Sequence, residues 1–288
     1  MTRILITGAN GQLGSEIKEI SKRSEKLVFL FHDVDTLDIT DFEKLNHFVN
    51  SNQVKYIVNC AAYTAVDKAE SETDKAKKIN VDAVRNIVRS AGINQAFVIH
   101  ISTDYVFDGT ANKPYGEEVP VNPVSVYGRT KEEGEHDVIK YSKGMVIRTA
   151  WLYSTFGNNI VKTVLKLGRE RTELNFVFDQ TGSPTYAADL ATAIITIIQQ
   201  SEENESGFKA GVYHYSNEGV CSWYDFVKAI VRIKGLKCKV NPIETSQYPA
   251  PATRPVYSVL NKKKIKNTYA LEIPYWLDSL ENCLKKMI

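Results

Sequence analysis

The chain has 288 residues, enough for one large domain or two of ordinary size with an ample core. Its 43% hydrophobic and 24% charged residues exclude a disordered chain, and a net charge of +2 with both signs interspersed leaves no electrostatic footprint for nucleic acid. No apolar run approaches membrane length, the four cysteines form no CxxC and the five histidines show no metal-ligand spacing, so the reading is a cytoplasmic protein with no membrane, nucleic-acid or metal partner.

Ile4-Leu5-Ile6 is a short apolar run, read as a buried strand. It feeds Thr7-Gly8-Ala9-Asn10-Gly11-Gln12-Leu13-Gly14 and then a helical pattern from Ser15 to about Arg23. Strand, glycine loop and helix form the setting in which backbone N–H groups hold a pyrophosphate, although the spacing is G-x-x-G-x-x-G rather than the usual G-x-G-x-x-G. The next strand, Leu27–His32, ends in Asp33, nineteen residues after Gly14, where an acid can hydrogen-bond an adenosine ribose. The alternative is a tight turn with a surface Asp.

Asp33–Asp41 is an acidic connection, and Thr40 or Asp41 caps a helix with Phe42, Leu45, Phe48 and Val49 on one face. Val54–Asn59 is a third strand, followed by the small residues Cys60-Ala61-Ala62, which leave room for a cofactor or for close packing. Ser71 to Ala91 reads as one long helix. Ala96–Ile101 is a fourth strand running into Ser102-Thr103-Asp104, and Met145–Arg148 a fifth leading to Trp151. Asn159–Arg169 and Asp189–Gln199 read as helices, Phe176–Phe178 as a strand, Ser201–Ser206 as a surface loop and Val212–Tyr215 as a strand that could rejoin the main sheet. Strands alternating with helices predict an α/β fold: a Rossmann-like doubly wound parallel sheet with a smaller α/β C-terminal substrate domain. The expected division is a dinucleotide-binding domain over 1–155, rejoined near 187–215, and a mainly substrate-binding part over 156–288.

Tyr127 and Lys131 stand four apart, on one face of a helix. At roughly 6 Å an ammonium would favour the phenolate by about two pKa units and make the Tyr a general acid near neutral pH. With 15 Tyr and 26 Lys, chance supplies about one such pair, and there are two, the other being Tyr224/Lys228. Context selects the first. Thr103 lies at the carboxyl end of a strand, where ligands of open α/β sheets bind, and Tyr127 begins the following helix. Tyr224/Lys228 sits in the amphipathic helix Trp223–Lys234 and reads as packing plus a surface Lys.

Thr7–Gly14, Ser102–Gly109 and the Tyr127/Lys131 pair together resemble the extended short-chain dehydrogenase/reductase family. Further blocks, Asn59–Glu70, Gly157-Asn158-Asn159, Asp179–Thr185 and Ala252-Thr253-Arg254-Pro255, extend the resemblance nearly end to end. It implies NADPH- or NADH-dependent reduction of the C4 keto group of a dTDP-linked 4-keto-6-deoxy sugar by a monomer or homodimer. By the same resemblance Thr103, Tyr127 and Lys131 are catalytic. Gly8, Asn10, Gly11, Gln12, Leu13, Asp33, Asp38, Ile39, Ala62, Tyr63 and Thr64 join Tyr127 and Lys131 at the cofactor, and Thr103, Asp104, Trp151 and Arg254 meet the nucleotide sugar; the alternatives are plain core for Trp151 and a pair with a surface acid for Arg254. Some relatives are dimers bridged by magnesium on acidic side chains; Glu16 could match one ligand, but Tyr186–Leu190 does not reproduce the rest, so no metal is expected. The alternatives are another nucleotide-sugar reductase, epimerase or dehydratase of this fold, or a non-catalytic NADP-binding regulatory subunit.

Overall fold

The computed structural model describes residues 1–22, 26–204 and 207–287; the expectations that fall on Arg23, Glu205 and Ser206 lie outside them. The strands β1 (Thr2–Thr7), β2 (Leu27–His32), β3 (Tyr56–Asn59), β4 (Phe97–Thr103) and β5 (Gly144–Thr149) arise from the apolar runs of the sequence. Between them run the helices α1 (Gln12–Ser21), α2 (Phe42–Ser51), α3 (Ala83–Asn94) and α4 (Val126–Lys140). Farther along come α5 (Ile160–Glu170), β6 (Glu173–Val177), α6 (Ala187–Glu203), β7 (Gly211–His214), α7 (Trp223–Ile233), β8 (Lys239–Ile243) and α8 (Trp276–Lys286).

Strand β7 crosses back to complete a six-stranded sheet of order β7-β5-β4-β3-β1-β2, every pair parallel. Both faces are covered, which is why these strands read as continuous apolar runs rather than as alternations. One face packs Ile4, Ile6 and Val58 against Leu13 and Ile17 of α1 and the isoleucines of α6; the other packs Leu5, Ile57 and Val98 against α2 and α3. The strand order reverses between β1 and β3, and the crevice at the carboxyl ends of strands around such a point is where a doubly wound sheet takes its ligand. A second core, built from α5, α7, α8 and the parallel pair β6–β8, lies beyond that edge.

Two elements differ from expectation. The single helix over Ser71–Ala91 is broken: Thr73–Lys77 is α-helical, Lys78–Asp82 winds as a π turn, and α3 follows. The extra residue in the turn sets Asn80 inward, where its amide spans Tyr63 and Thr130, so tertiary hydrogen bonds override the α pattern. Ser201–Glu203 are the last turn of α6 rather than a loop, with Ser201 Oγ donating to Ile197 O (2.7 Å) and Glu202 accepting from Tyr56 (2.8 Å) and paired with Lys55 (2.7 Å).

Candidate active site

The turn after β1 is forced by contact. Gly8 adopts φ +63°, and a Cβ there would lie 2.6 Å from the backbone N of Ala61, so the loops after β1 and β3 touch. A Cβ on Gly14 would sit 2.5 Å from Gly8 O, because α1 packs directly on the turn. The result is a cradle of bare backbone leading into a helix N-terminus, which fits a dinucleotide pyrophosphate. Asp33 fastens it from β2: Oδ2 accepts from Asn10 N (2.9 Å) and Oδ1 from Val34 N (2.8 Å).

A cleft of about 1020 Å³ opens over this cradle. Gly8, Gly11, Gln12, Leu13, Asp33, Asp38, Ala62 and Thr64 line one end; Thr103, Asp104, Tyr127, Lys131 and Trp151 line the other. The structure therefore brings together most of the residues singled out above. Asn10, Ile39, Tyr63 and Arg254 are the exceptions. The Asn10 side chain is exposed, and only its backbone N–H joins the turn. Ile39 is buried with Leu5, Leu37 and Leu45 in the core, because the acidic connection must cover α2. Tyr63 packs on Ala69 and Ala76 and donates to Glu72 (3.1 Å). Arg254 is paired with Asp67 at 2.8 Å, which satisfies its guanidinium outside the cleft and holds the Asp67 carboxyl below its usual range.

Thr103 ends β4 and caps the 3₁₀ turn Asp104–Val106: its Oγ1 accepts from Tyr105 N (3.2 Å) and donates to Asp104 Oδ1 (3.1 Å). Burial pushes the Asp104 carboxyl up to about 6, against the opposing hydrogen bonds of Ser258 and Thr103, and leaves Oδ2 with no partner. Ser125 caps α4 by accepting from Gly128 N (3.1 Å). A Cβ on Gly128 would be 2.2 Å from Tyr105 O, so glycine next to Tyr127 lets the helix start against the 3₁₀ turn. Tyr127 then stacks edge-on with Tyr105 (5.5 Å).

The electrostatics correct one expectation. Burial pushes the Tyr127 phenol up to about 12; Thr103 opposes this by hydrogen bonding and the Asp104 charge adds to it. Lys131 is itself buried, which lowers its ammonium to about 8, and its Nζ donates to Ile101 O at 2.7 Å. Helical spacing puts both side chains on one face, but desolvation outweighs their mutual attraction. The rival pair, Tyr224/Lys228, lines a separate cavity beside Trp276.

Sequence reasoning missed Trp223. It stacks face to face on Trp151 (3.7 Å, 8° between planes), and both border the cleft. Trp151 holds φ +49°, strained for a non-glycine residue and located at the site. Asn59 and His100, buried beside Lys131, were missed as well; polar residues inside otherwise apolar strands were the available signal. Among the described residues, no group of three or more His, Cys, Asp or Glu could hold a metal ion, and no helix is long and apolar enough to cross a membrane.

A doubly wound sheet with a glycine cradle and a Thr, Tyr and Lys in one cleft defines a nicotinamide-nucleotide oxidoreductase of the short-chain dehydrogenase/reductase class. More narrowly, the family model of the RmlD substrate binding domain matches residues 1–288, and the chain belongs to that family. It is 38% identical to the dTDP-4-dehydrorhamnose reductase of Aggregatibacter actinomycetemcomitans, over 98% of each chain. The solved dTDP-4-dehydrorhamnose reductase of Clostridium acetobutylicum superposes with a TM-score of 0.93 at 41% identity, covering 99% of both chains. That of Bacillus anthracis, solved in complex with NADP, gives 0.93 at 38% identity, over 99% of this chain and 100% of the other.

Proposed function

We propose that this chain reduces the C4 keto group of dTDP-4-dehydro-L-rhamnose to give dTDP-L-rhamnose, with NADPH or NADH as reductant, for cell-surface polysaccharide synthesis. The observation that carries this reading is the convergence of Thr103, Tyr127 and Lys131 with the glycine cradle in one cleft, in a chain similar to these reductases along its whole length. The division into a dinucleotide-binding part over 1–155, rejoined near 187–215, and a mainly substrate-binding part over 156–288 belongs to the same reading.

When bound in the cleft, a dihydronicotinamide would supply the hydride that reduces C4. Tyr127 keeps its proton throughout the neutral range and gives it to the carbonyl oxygen as charge develops there. Thr103 Oγ1, held by Tyr105 N, turns its one O–H from Asp104 to the same oxygen and stabilises that charge. Lys131 holds the nicotinamide ribose, and its charge then assists the Tyr127 phenol. Gly8, Gly11, Gln12, Leu13, Ala62 and Thr64 cradle the rest of the cofactor, with Asp33 and Asp38 towards its adenosine end. Trp151 and Trp223 form an apolar wall for the sugar nucleotide.

Tyr105 follows Thr103-Asp104, where dehydratases of this fold carry a Glu, which supports reduction over dehydration. The cytoplasm belongs to the same reading, supported by four free cysteines. The test is NAD(P)H oxidation with dTDP-4-dehydro-L-rhamnose beside other 4-keto nucleotide sugars. One cofactor oxidised per sugar reduced is expected; turnover without net cofactor consumption would overturn the reading.

A further inference from the structure

Lys131 ends a buried hydrogen-bond chain that starts beside the glycine turn. Ala61 N (3.2 Å) and Thr7 Oγ1 (2.6 Å) both donate to Asn59 Oδ1. A backbone N–H can only donate, so the Asn59 oxygen must face Ala61 and its Nδ2 must face His100, 3.0 Å from Nδ1. Nδ1 of His100 is therefore the acceptor, and a neutral ring carries its proton on Nε2. Nε2 lies 3.3 Å from Lys131 Nζ, which donates to Ile101 O. Turning the ring over would set carbon atoms against both partners.

This direction of donors leaves one protonation state for Lys131. An ammonium has no lone pair, so it would set an N–H against the Nε2–H of His100; an amine accepts from Nε2–H and still donates to Ile101 O. Resting on the reading of Lys131 as a site residue, we propose that His100 is its positioning residue: Nε2–H holds Lys131 as the neutral amine against β4, and uptake of a proton breaks that contact and releases Nζ towards the cleft. Burial shifts both groups in that direction, lowering His100 well below its ordinary value and Lys131 to about 8, so the amine contact holds above about pH 8 and the ammonium is the main form below it. The other groups facing Lys131 are Tyr127 and Glu135 on α4 and Cys60 after β3. Tyr127 and Cys60 are both neutral, each pushed up to about 12, and Glu135 is held by Arg148 of β5 through contacts of 3.0, 3.2 and 2.7 Å.

The test is ¹⁵N NMR of histidine-labelled protein without cofactor or substrate, the His100 signals being identified by their loss in His100→Gln. A bare Nδ1 and a protonated Nε2 are expected, with an Nε2 shift that follows the titration of Lys131 near pH 8. A protonated Nδ1, an imidazolium at neutral pH, or an Nε2 shift flat across that range overturns the proposal, whatever substrate the protein turns over. A second readout is the pH profile of kcat/KM, which reports the protein before substrate binds. His100→Gln presents an amide oxygen that accepts from an ammonium, so its alkaline limb moves up by at least about one pH unit, a tenfold change in proton concentration. His100→Leu removes the Nε2–H that favours the amine, so its limb also moves up, by less than in His100→Gln, which adds an acceptor. Wild-type limbs in both variants would show that His100 does not act through Lys131; if the Leu variant does not fold, the NMR result and the Gln variant decide.

Discussion

Tyr127 meets a hydroxyl, a carboxyl and a second ring in the free protein, so its acidity rests on what surrounds the phenol during reaction rather than on its bare spacing from Lys131. Tyr127→Phe removes the proton donor and keeps the ring, so kcat falls by about 10²–10⁴ while the cofactor dissociation constant, read by fluorescence titration, stays within a few-fold. Asp33 lines the other end of the cleft, and on the proposed reading, with the adenosine ribose beside it, its charge would oppose a 2′-phosphate. Asp33→Asn keeps an acceptor for the loop and removes the charge, raising the NADPH/NADH ratio of kcat/KM by about tenfold, or about 1.4 kcal/mol; an unchanged ratio would take Asp33 out of the adenosine site. Asp104 carries a stability consequence. Because burial raises its pKa from 3.8 to about 6, the fold favours the protonated form. That stabilisation is complete below 3.8 and is lost as pH rises through about 6. Asp104→Asn removes the buried charge, so its thermal midpoint exceeds the wild type's at pH 7.5, by on the order of 3 kcal/mol in stability, and the difference closes towards pH 4.

The first turn of α1 is set by the absence of two side chains. Gly14→Ala drives a Cβ to 2.5 Å from Gly8 O and must part the helix from the turn, so cofactor binding weakens by at least about tenfold (about 1.4 kcal/mol) and the melting temperature drops. Gly92, in α3, has nothing within 4 Å of such a Cβ, and Gly92→Ala in the same assays is neutral or stabilising by up to about 1 kcal/mol. The glycines were legible as a turn because only spacing was needed. The π turn at Lys78–Asp82 was not legible: its cause is the fit of Asn80 to Tyr63 and Thr130, partners 17 and 50 residues away.

Across the whole molecule the cleft lies between the main sheet and the second core, and the Trp151–Trp223 stack joins them. Trp223→Ala removes one ring of that wall. KM for the sugar nucleotide rises about tenfold while the cofactor dissociation constant stays within about twofold, since a stacked aromatic contributes about 0.5–1.5 kcal/mol beyond its buried area. Equal losses for both ligands would place the stack at the cofactor instead.

Apolar runs, the turn glycines and the strand-end position of Thr103 were enough to specify a parallel α/β sheet and the region of its site, because burial and backbone sterics act over a few residues of chain. Chain order alone favoured Tyr127/Lys131 over Tyr224/Lys228, and the two pairs line different cavities. What folding alone decided was the environment of those groups: that Arg254 pairs with Asp67, that Ile39 and Tyr63 turn into the core, that Trp223 faces Trp151, and that Lys131 lies against His100 and Ile101. Desolvation and hydrogen-bond direction depend on atoms brought together from distant parts of the chain, and no local pattern carries them.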